Sequence, residues 1–373
     1  MTATSEPDPG RDAFWMAGAV RRAAAVSPPP HPNPRVGCVL VRDGEAVGAG
    51  AHQRPGGLHA EALALAEAGE AAQGATAYVT LEPCNHHGRT PPCTEALIAA
   101  GVARVVIAHR DPNPEVGGSG VARLGEGGVA VREGVLAEEA RRLNRGYLRR
   151  VSGGRPWVTV KLAASLDGRT AMASGESQWI TSRAARADVH RGRAGAAAVV
   201  TGSGTVAADD PRLDARDREP PLPAERQPLR VVLDRHLATP PQAALLAAPG
   251  PVLILHAEGA SGARAEALRA RGAELAPVAE RDGGLELAAV LEALRARAVN
   301  EVWVEAGPTL AGAWVQQGLA DELLVYLAPH LMGDAARPLL GLPGIDRMAQ
   351  RLPLAWEDVR RVGDEIRITA RLA

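Results

Sequence analysis

Two short segments of this chain carry residues that make chemical sense only if they meet in space. His59-Ala60-Glu61 opens an alanine-rich stretch, and Glu82-Pro83-Cys84 closes an apolar run and is followed by Cys93. One imidazole and two thiols are ligands of the kind that hold zinc. Three protein ligands leave the fourth tetrahedral position open, which marks a catalytic rather than a structural ion. Glu61 is then a carboxylate free of the metal and placed to shuttle a proton beside it. Residues i and i+2 lie about 200° apart on an ideal helix, so His59 belongs at the helix start, where both side chains reach one cavity. Cys93 follows Pro91-Pro92 and precedes Thr94-Glu95-Ala96-Leu97. It too reads as a helix N-terminus, where the dipole favours thiolate. A closed structural site is the alternative; it needs a fourth ligand, His86 or His87, and leaves Glu61 idle.

The periodicity predicts an α/β chain in two parts. Phe14 to Ala25, Glu61 to Glu70 and Thr94 to Ala100 read as helices. Val36 to Val41 and Ala46 to Gly50 read as strands joined by an Asp43-Gly44 turn, with further strands at Thr76 to Leu81 and Arg104 to Ala108. Ser152-Gly153-Gly154-Arg155-Pro156 is the best linker, and the pattern restarts after it. Trp157 to Leu162, Ala196 to Thr201, Leu229 to Leu233, Val252 to His256, Glu301 to Val304 and Glu322 to Leu327 are strand candidates, most separated by helical stretches. The expected domains are 11–151 and 155–373, each long enough to bury a core of its own. Arg216 to Gln227, rich in proline and charge, reads as a surface loop.

Composition excludes several roles. A net charge of −1 argues against nucleic-acid binding, and Arg141-Arg142 and Arg149-Arg150 read as solvated faces. Three cysteines in 373 residues are no disulfide framework; Cys38, inside an apolar run, reads as core. Met1 to Gly10 has no apolar centre, and no stretch approaches about 18 apolar residues, so neither a signal peptide nor a membrane span is expected. A cytoplasmic location follows as an expectation. Of the 42 basic residues only Lys161 is lysine, a skew with two readings: one lysine retained by chance, or a position where a compact ammonium is needed.

The cysteines are separated by eight residues, Asn85 to Pro92, where nucleoside deaminases have two. The run from Glu82 to Cys93 resembles the deaminase domain of the bifunctional riboflavin-biosynthesis deaminase/reductase family. So do Pro32-Asn33-Pro34-Arg35-Val36-Gly37, Gly50-Ala51-His52 and Asp111-Pro112-Asn113-Pro114. The resemblance continues through Lys161 to Arg169, Ser177 to Ser182, Ala208-Asp209-Asp210-Pro211 and Glu305-Ala306-Gly307-Pro308-Thr309-Leu310, and so covers nearly the whole chain.

The resemblance implies a cytidine-deaminase-like N-terminal domain and a dihydrofolate-reductase-like C-terminal domain. It implies one Zn2+ per chain on His59, Cys84 and Cys93, and Glu61 as acid and base in turn. The substrate would be 2,5-diamino-6-ribosylamino-4(3H)-pyrimidinone 5′-phosphate, with Asn33 and His52 near the pyrimidine and the loop Asn85 to Pro92, with His86, His87 and Arg89, near the phosphate. NADPH is implied for the second half. Ala163, Trp179, Thr205, Asp209, Gly307, Pro308 and Thr309 match the nucleotide positions, and Ser177, Arg193, Leu213, Arg216 and Glu305 the substrate positions. Lys161 and Asp209 would assist opening of the ribose ring before hydride transfer. No Gly-x-Gly-x-x-Gly opens a helix in the second half, so a Rossmann site is not expected; Gly307-Pro308-Thr309 instead offers a helix N-terminus to an anion. A homo-oligomer is expected. Two other readings remain at this point: a deaminase with a non-reducing second domain, and a zinc-stabilised ligand-binding protein.

Overall fold

The computed structural model describes residues 9–86, 91–113, 117–217, 220–260 and 262–372. The chain divides into two compact units, Met1–Gly154 and Arg155–Ala373.

The first unit is a five-stranded sheet between two layers of helices. Strands β1 (Gly37–Arg42), β2 (Glu45–Ala51), β3 (Thr76–Val79), β4 (Arg104–Ile107) and β5 (Ala130–Glu133) lie in the order β2-β1-β3-β4-β5. The β1–β2 and β1–β3 pairs are antiparallel; the β3–β4 and β4–β5 pairs are parallel. Both faces of the inner strands are apolar because both are covered. Cys38, Leu40, Val79 and Ile107 face α2 (Ala60–Ala68), α3 (Cys93–Ala99) and α4 (Ser119–Glu126); Val39, Val41, Tyr78 and Val106 face α1 (Pro9–Ala25) and α5 (Ala137–Leu143). A sixth helix, α6 (Arg145–Val151), closes the unit. Cys38 is wholly buried, as its apolar neighbours predicted. Gly50 lets α2 approach closely, since a Cβ there would stand 2.3 Å from the Ala60 carbonyl oxygen. That close approach sets the height of the helix start carrying His59 and Glu61.

The second unit is built on a nine-stranded sheet. The parallel strands are β6 (Trp157–Ser165), β8 (Ala198–Gly202), β9 (Leu229–Leu233), β10 (Val252–Ala257), β11 (Glu274–Val278), β14 (Glu301–Glu305) and β15 (Glu322–Ala328). An antiparallel hairpin, β17 (Leu354–Val362) and β18 (Glu365–Leu372), extends the β15 edge, giving the order β11-β10-β9-β8-β14-β6-β15-β18-β17. Two small ladders, β7 (Arg169–Ala171) with β16 (Arg337–Pro338) and β12 (Glu280–Arg281) with β13 (Gly284–Leu285), are separate sheets. On one face Val158, Val160, Leu162, Val302 and Val304 pack against α11 (Leu287–Arg295) and α12 (Pro308–Gln316). Trp303, Leu324 and Tyr326 on the other face meet α7 (Arg183–Gly195). The remaining helices are α8 (Ser203–Asp209), α9 (Ala244–Ala247) and α10 (Ala263–Ala270).

Among the described residues, no helix is long and apolar enough to cross a membrane.

Candidate active sites

His59 is the N-cap of α2 and Cys93 the first residue of α3, both at helix starts as expected from the sequence. His59 Nδ1 lies 3.3 Å from Cys93 Sγ and 3.5 Å from Cys84 Sγ. A tetrahedron with Zn–S of about 2.3 Å and Zn–N of about 2.0 Å has N–S edges of about 3.5 Å, so the donors already stand at zinc-binding separations. Among the described residues, these three side chains form the one cluster of metal-binding composition, with all ligand atoms within 4.8 Å of one another. His86 is outside it, and His87 lies outside the described residues, as do Arg89 and Pro114.

The sulfurs interact strongly. The hydrogen bond with Cys93 draws the Cys84 thiol down to about 4, and the same contact, with burial, pushes Cys93 up. One proton is therefore held between them unless a cation stabilises both thiolates, as a zinc ion would. Glu61, 3% exposed, packs beside them within hydrogen-bond reach of Cys93. Burial raises its carboxyl to about 7, opposed chiefly by its own backbone N–H.

Asn33 and His52 meet directly, Asn33 Nδ2 standing 3.0 Å from His52 Nε2. His52 Nδ1 is 3.0 Å from the Leu58 carbonyl oxygen, which can only accept, so Nδ1 carries the proton and Nε2 accepts from Asn33. Burial lowers the imidazole pKa and keeps the ring neutral. The His52 ring stands edge-on to His59, centroids 5.4 Å apart. The two residues matched to the pyrimidine pocket thus border the metal site.

One residue of the motif has a role the sequence did not reveal. Glu82, 4% exposed, accepts from the backbone N–H groups of Asp111, Gly118, Gly120 and Val121 at 3.0–3.2 Å. It stitches the segment before α4 to the loop carrying Cys84. Gly120 is obligatory there: a Cβ would sit 2.2 Å from the Pro83 carbonyl oxygen. The donors lie 29–39 residues away and are ordinary backbone groups, which leave no sequence signal.

In the second unit the parallel register sets Lys161 of β6 directly opposite Glu305 of β14. Arg193, from the last turn of α7, donates to both Glu305 oxygens, Nε at 2.5 Å and Nη2 at 2.8 Å. Trp303 Nε1 donates to the same carboxylate at 2.8 Å. Burial alone would raise the Glu305 pKa, but the Arg193 charge and hydrogen bonds, with Lys161 and Trp303, pull it to about 2. Burial lowers the Lys161 pKa, partly offset by Glu305. Ala163 lies two residues beyond Lys161 on β6 and packs with the cluster facing α7.

Arg193 also donates from Nη1 to the Asp214 carbonyl at 3.2 Å, fixing the segment that holds buried Leu213. Arg216 pairs with Asp214. Thr205 and Asp209 lie on α8, which begins where β8 ends; Gly307, Pro308 and Thr309 open α12 where the adjacent β14 ends. Thr201 Oγ1 donates to the Glu305 carbonyl at 2.6 Å and ties these strand ends together. Carboxyl ends of parallel strands are where open α/β sheets bind ligands. Trp179 is 70% exposed, with the Arg186 guanidinium 4.3 Å over its ring. None of Ser177, Trp179, Thr205 and Asp209 is hydrogen-bonded to Lys161, Arg193 or Glu305 among the described residues.

Two protein families match along the chain: the cytidine and deoxycytidylate deaminase zinc-binding region over residues 10–109, and the RibD C-terminal domain over residues 156–367. The riboflavin biosynthesis protein RibD of Escherichia coli is 49% identical over 364 residues, 95% of this chain and 98% of its own. The chain belongs to the RibD family. RibD of Mycobacterium tuberculosis is 41% identical over 353 residues, covering 94% of each chain. Acinetobacter baumannii RibD superposes with a TM-score of 0.89 at 42% identity, over 98% of this chain and 100% of that one. A Thermotoga maritima diaminohydroxyphosphoribosylaminopyrimidine deaminase/5-amino-6-(5-phosphoribosylamino)uracil reductase gives 0.86 at 31% identity, over 98% and 99%. RibD proteins join a deaminase and a reductase of riboflavin biosynthesis in one chain, and both halves are present here, with zinc and NADPH as their cofactors.

Proposed function

We propose that residues 11–151 deaminate 2,5-diamino-6-ribosylamino-4(3H)-pyrimidinone 5′-phosphate hydrolytically, and that residues 155–373 then reduce its ribosyl group to ribityl with NADPH. The observation that carries the first half is the convergence of His59, Cys84 and Cys93 with buried Glu61 beside them. His59, Cys84 and Cys93 would hold the zinc, which when bound acidifies water at neutral pH. Glu61 accepts a proton from the attacking water and passes it to the ring, then carries the proton of the hydroxyl left on the attacked carbon to the departing ammonia. Asn33 and His52, locked to each other, border the pyrimidine. The loop of His86, His87 and Arg89 meets the phosphate.

In the second half Lys161 and Asp209 assist ring opening to the imine, and hydride then reaches the former anomeric carbon. Glu305 fixes Arg193 and balances Lys161. Ser177, Arg193, Leu213 and Arg216 border the sugar phosphate. Ala163, Trp179, Thr205, Asp209 and the α12 start at Gly307, Pro308 and Thr309 receive the nucleotide. We place the protein in the cytoplasm as a homo-oligomer; support for pairing comes from the outer strand β17, where Trp356 and Val359 are 67% and 59% exposed.

The test is an assay of zinc-loaded protein with the diaminopyrimidinone ribotide, following ammonia and NADPH in one sample. Ammonia release followed by one NADPH oxidised per ammonia is expected. Ammonia alone would reduce the function to deamination, and neither would overturn the substrate assignment.

A further inference from the structure

Within the segment that presents Asn33, the Asn33 N–H turns back to the Pro30 carbonyl at 2.8 Å. Residues 28, 29, 30, 32 and 34 are all proline, and each removes a backbone donor, so no ladder of backbone hydrogen bonds can hold the segment. Its placement therefore depends on groups elsewhere in the unit. Asn144, 3% exposed at the elbow between α5 and α6, supplies one. Its amide makes the two hydrogen bonds a neighbouring strand residue would make: Arg35 N–H donates to Oδ1 at 2.8 Å, and Nδ2 donates to the Arg35 carbonyl at 2.8 Å. Arg150, also on α6, reaches the Pro32 carbonyl at 3.5 Å.

From Arg35 the contacts run inward, through Asn33 to His52 Nε2 and from the His52 ring to His59. The same elbow also anchors the segment that follows β4. Tyr147 donates to Asp111 at 3.1 Å, and Asp111 accepts the Asn113 N–H at 2.9 Å. We infer that Asn144 is a positioning residue for the deaminase site, acting through the Arg35 backbone to place Asn33 and His52 against the substrate pyrimidine. Only an amide serves. A carboxylate would still accept from Arg35 N–H but would set a second acceptor against the Arg35 carbonyl, and an alkyl side chain would remove both hydrogen bonds.

This inference rests on the deaminase reading of the first unit. Its test is a double-mutant cycle on the full zinc-loaded chain, measuring ammonia release for wild type, Asn144→Asp, Asn33→Ala and the double variant. Asn144→Asp should raise KM by about tenfold with kcat changed by less than about threefold, and zinc content should be unaltered. The double variant should be no worse than Asn33→Ala alone, because both changes break the same contact chain. Asn144→Gln keeps both groups one methylene displaced and should fall between wild type and Asn144→Asp; if Asn144→Asp does not fold, it takes that place in the cycle. Multiplying effects in the double variant, an unchanged KM, or loss of kcat together with zinc would each overturn the inference. Absence of ammonia release from wild type would instead overturn the deaminase reading, and this inference with it.

Discussion

Glu61 and Glu305 are both glutamates folded away from water, yet burial leaves them in opposite states. At Glu61 desolvation outweighs its backbone N–H and the nearby His59 charge, and its carboxyl rises to about 7. Glu305 carries the same penalty, but a two-pronged Arg193, Trp303 N–H and the Lys161 charge outweigh it and hold the group near 2. Partners, rather than depth, decide whether a buried carboxyl can carry a proton or serves as a fixed charge. Under the proposed function, the deaminase half uses the first kind and the reductase half the second.

The most severe way to break this contrast is Glu61→Gln. It should lower ammonia release by about a thousandfold, within the range for a lost general acid–base, while zinc content and reduction of supplied deaminated ribotide stay normal. Lys161→Met should lower NADPH oxidation by about a hundredfold and leave ammonia release intact; an unchanged reduction rate would remove Lys161 from the chemistry. In thermal unfolding, Glu305→Gln should destabilise the second unit by about 3 kcal/mol, because it strands buried Arg193. Glu61→Gln should cost nothing measurable, and equal losses would end the comparison.

Asp12 offers a smaller and independent test. Burial would raise its pKa, but Arg104, Tyr78 and Arg132 hold it below the ordinary value. A lowered folded pKa adds stability that is complete above the unfolded value of about 3.9 and is lost as pH falls through the folded one. The margin of wild type over Asp12→Asn in denaturant melts should thus be constant from neutrality to about pH 5 and shrink on further acidification. A pH-independent margin would contradict the assignment.

The zinc centre was legible in the sequence because its chemistry sits in rare residue types within 34 positions of one another. The helix start at His59 followed from its spacing to Glu61, and that at Cys93 from Pro91-Pro92 before it. Lys161 stood out by composition, but its pairing with Glu305 did not, since register between β6 and β14 is a tertiary fact that neither strand encodes locally. Glu82 and Asn144 were missed as anchors for the same reason: their partners are backbone groups far along the chain. Strand β5 is four residues long, and β17 is exposed along nearly its whole length, so neither shows the apolar alternation that marks a half-buried strand. The inner strands other than β18 were found to within a few residues; β18, inner but only partly buried, was not.

The central claim is that two chemically separate sites act in sequence, and mixing Glu61→Gln with Lys161→Met protein tests it most directly. Each variant alone should fail to convert the diaminopyrimidinone ribotide to the ribityl product, the first stopping before ammonia release and the second after it. The mixture should restore the ribityl product with one NADPH oxidised per ammonia. Ammonia from Glu61→Gln alone, or a mixture that yields ammonia but no NADPH oxidation, would contradict the account.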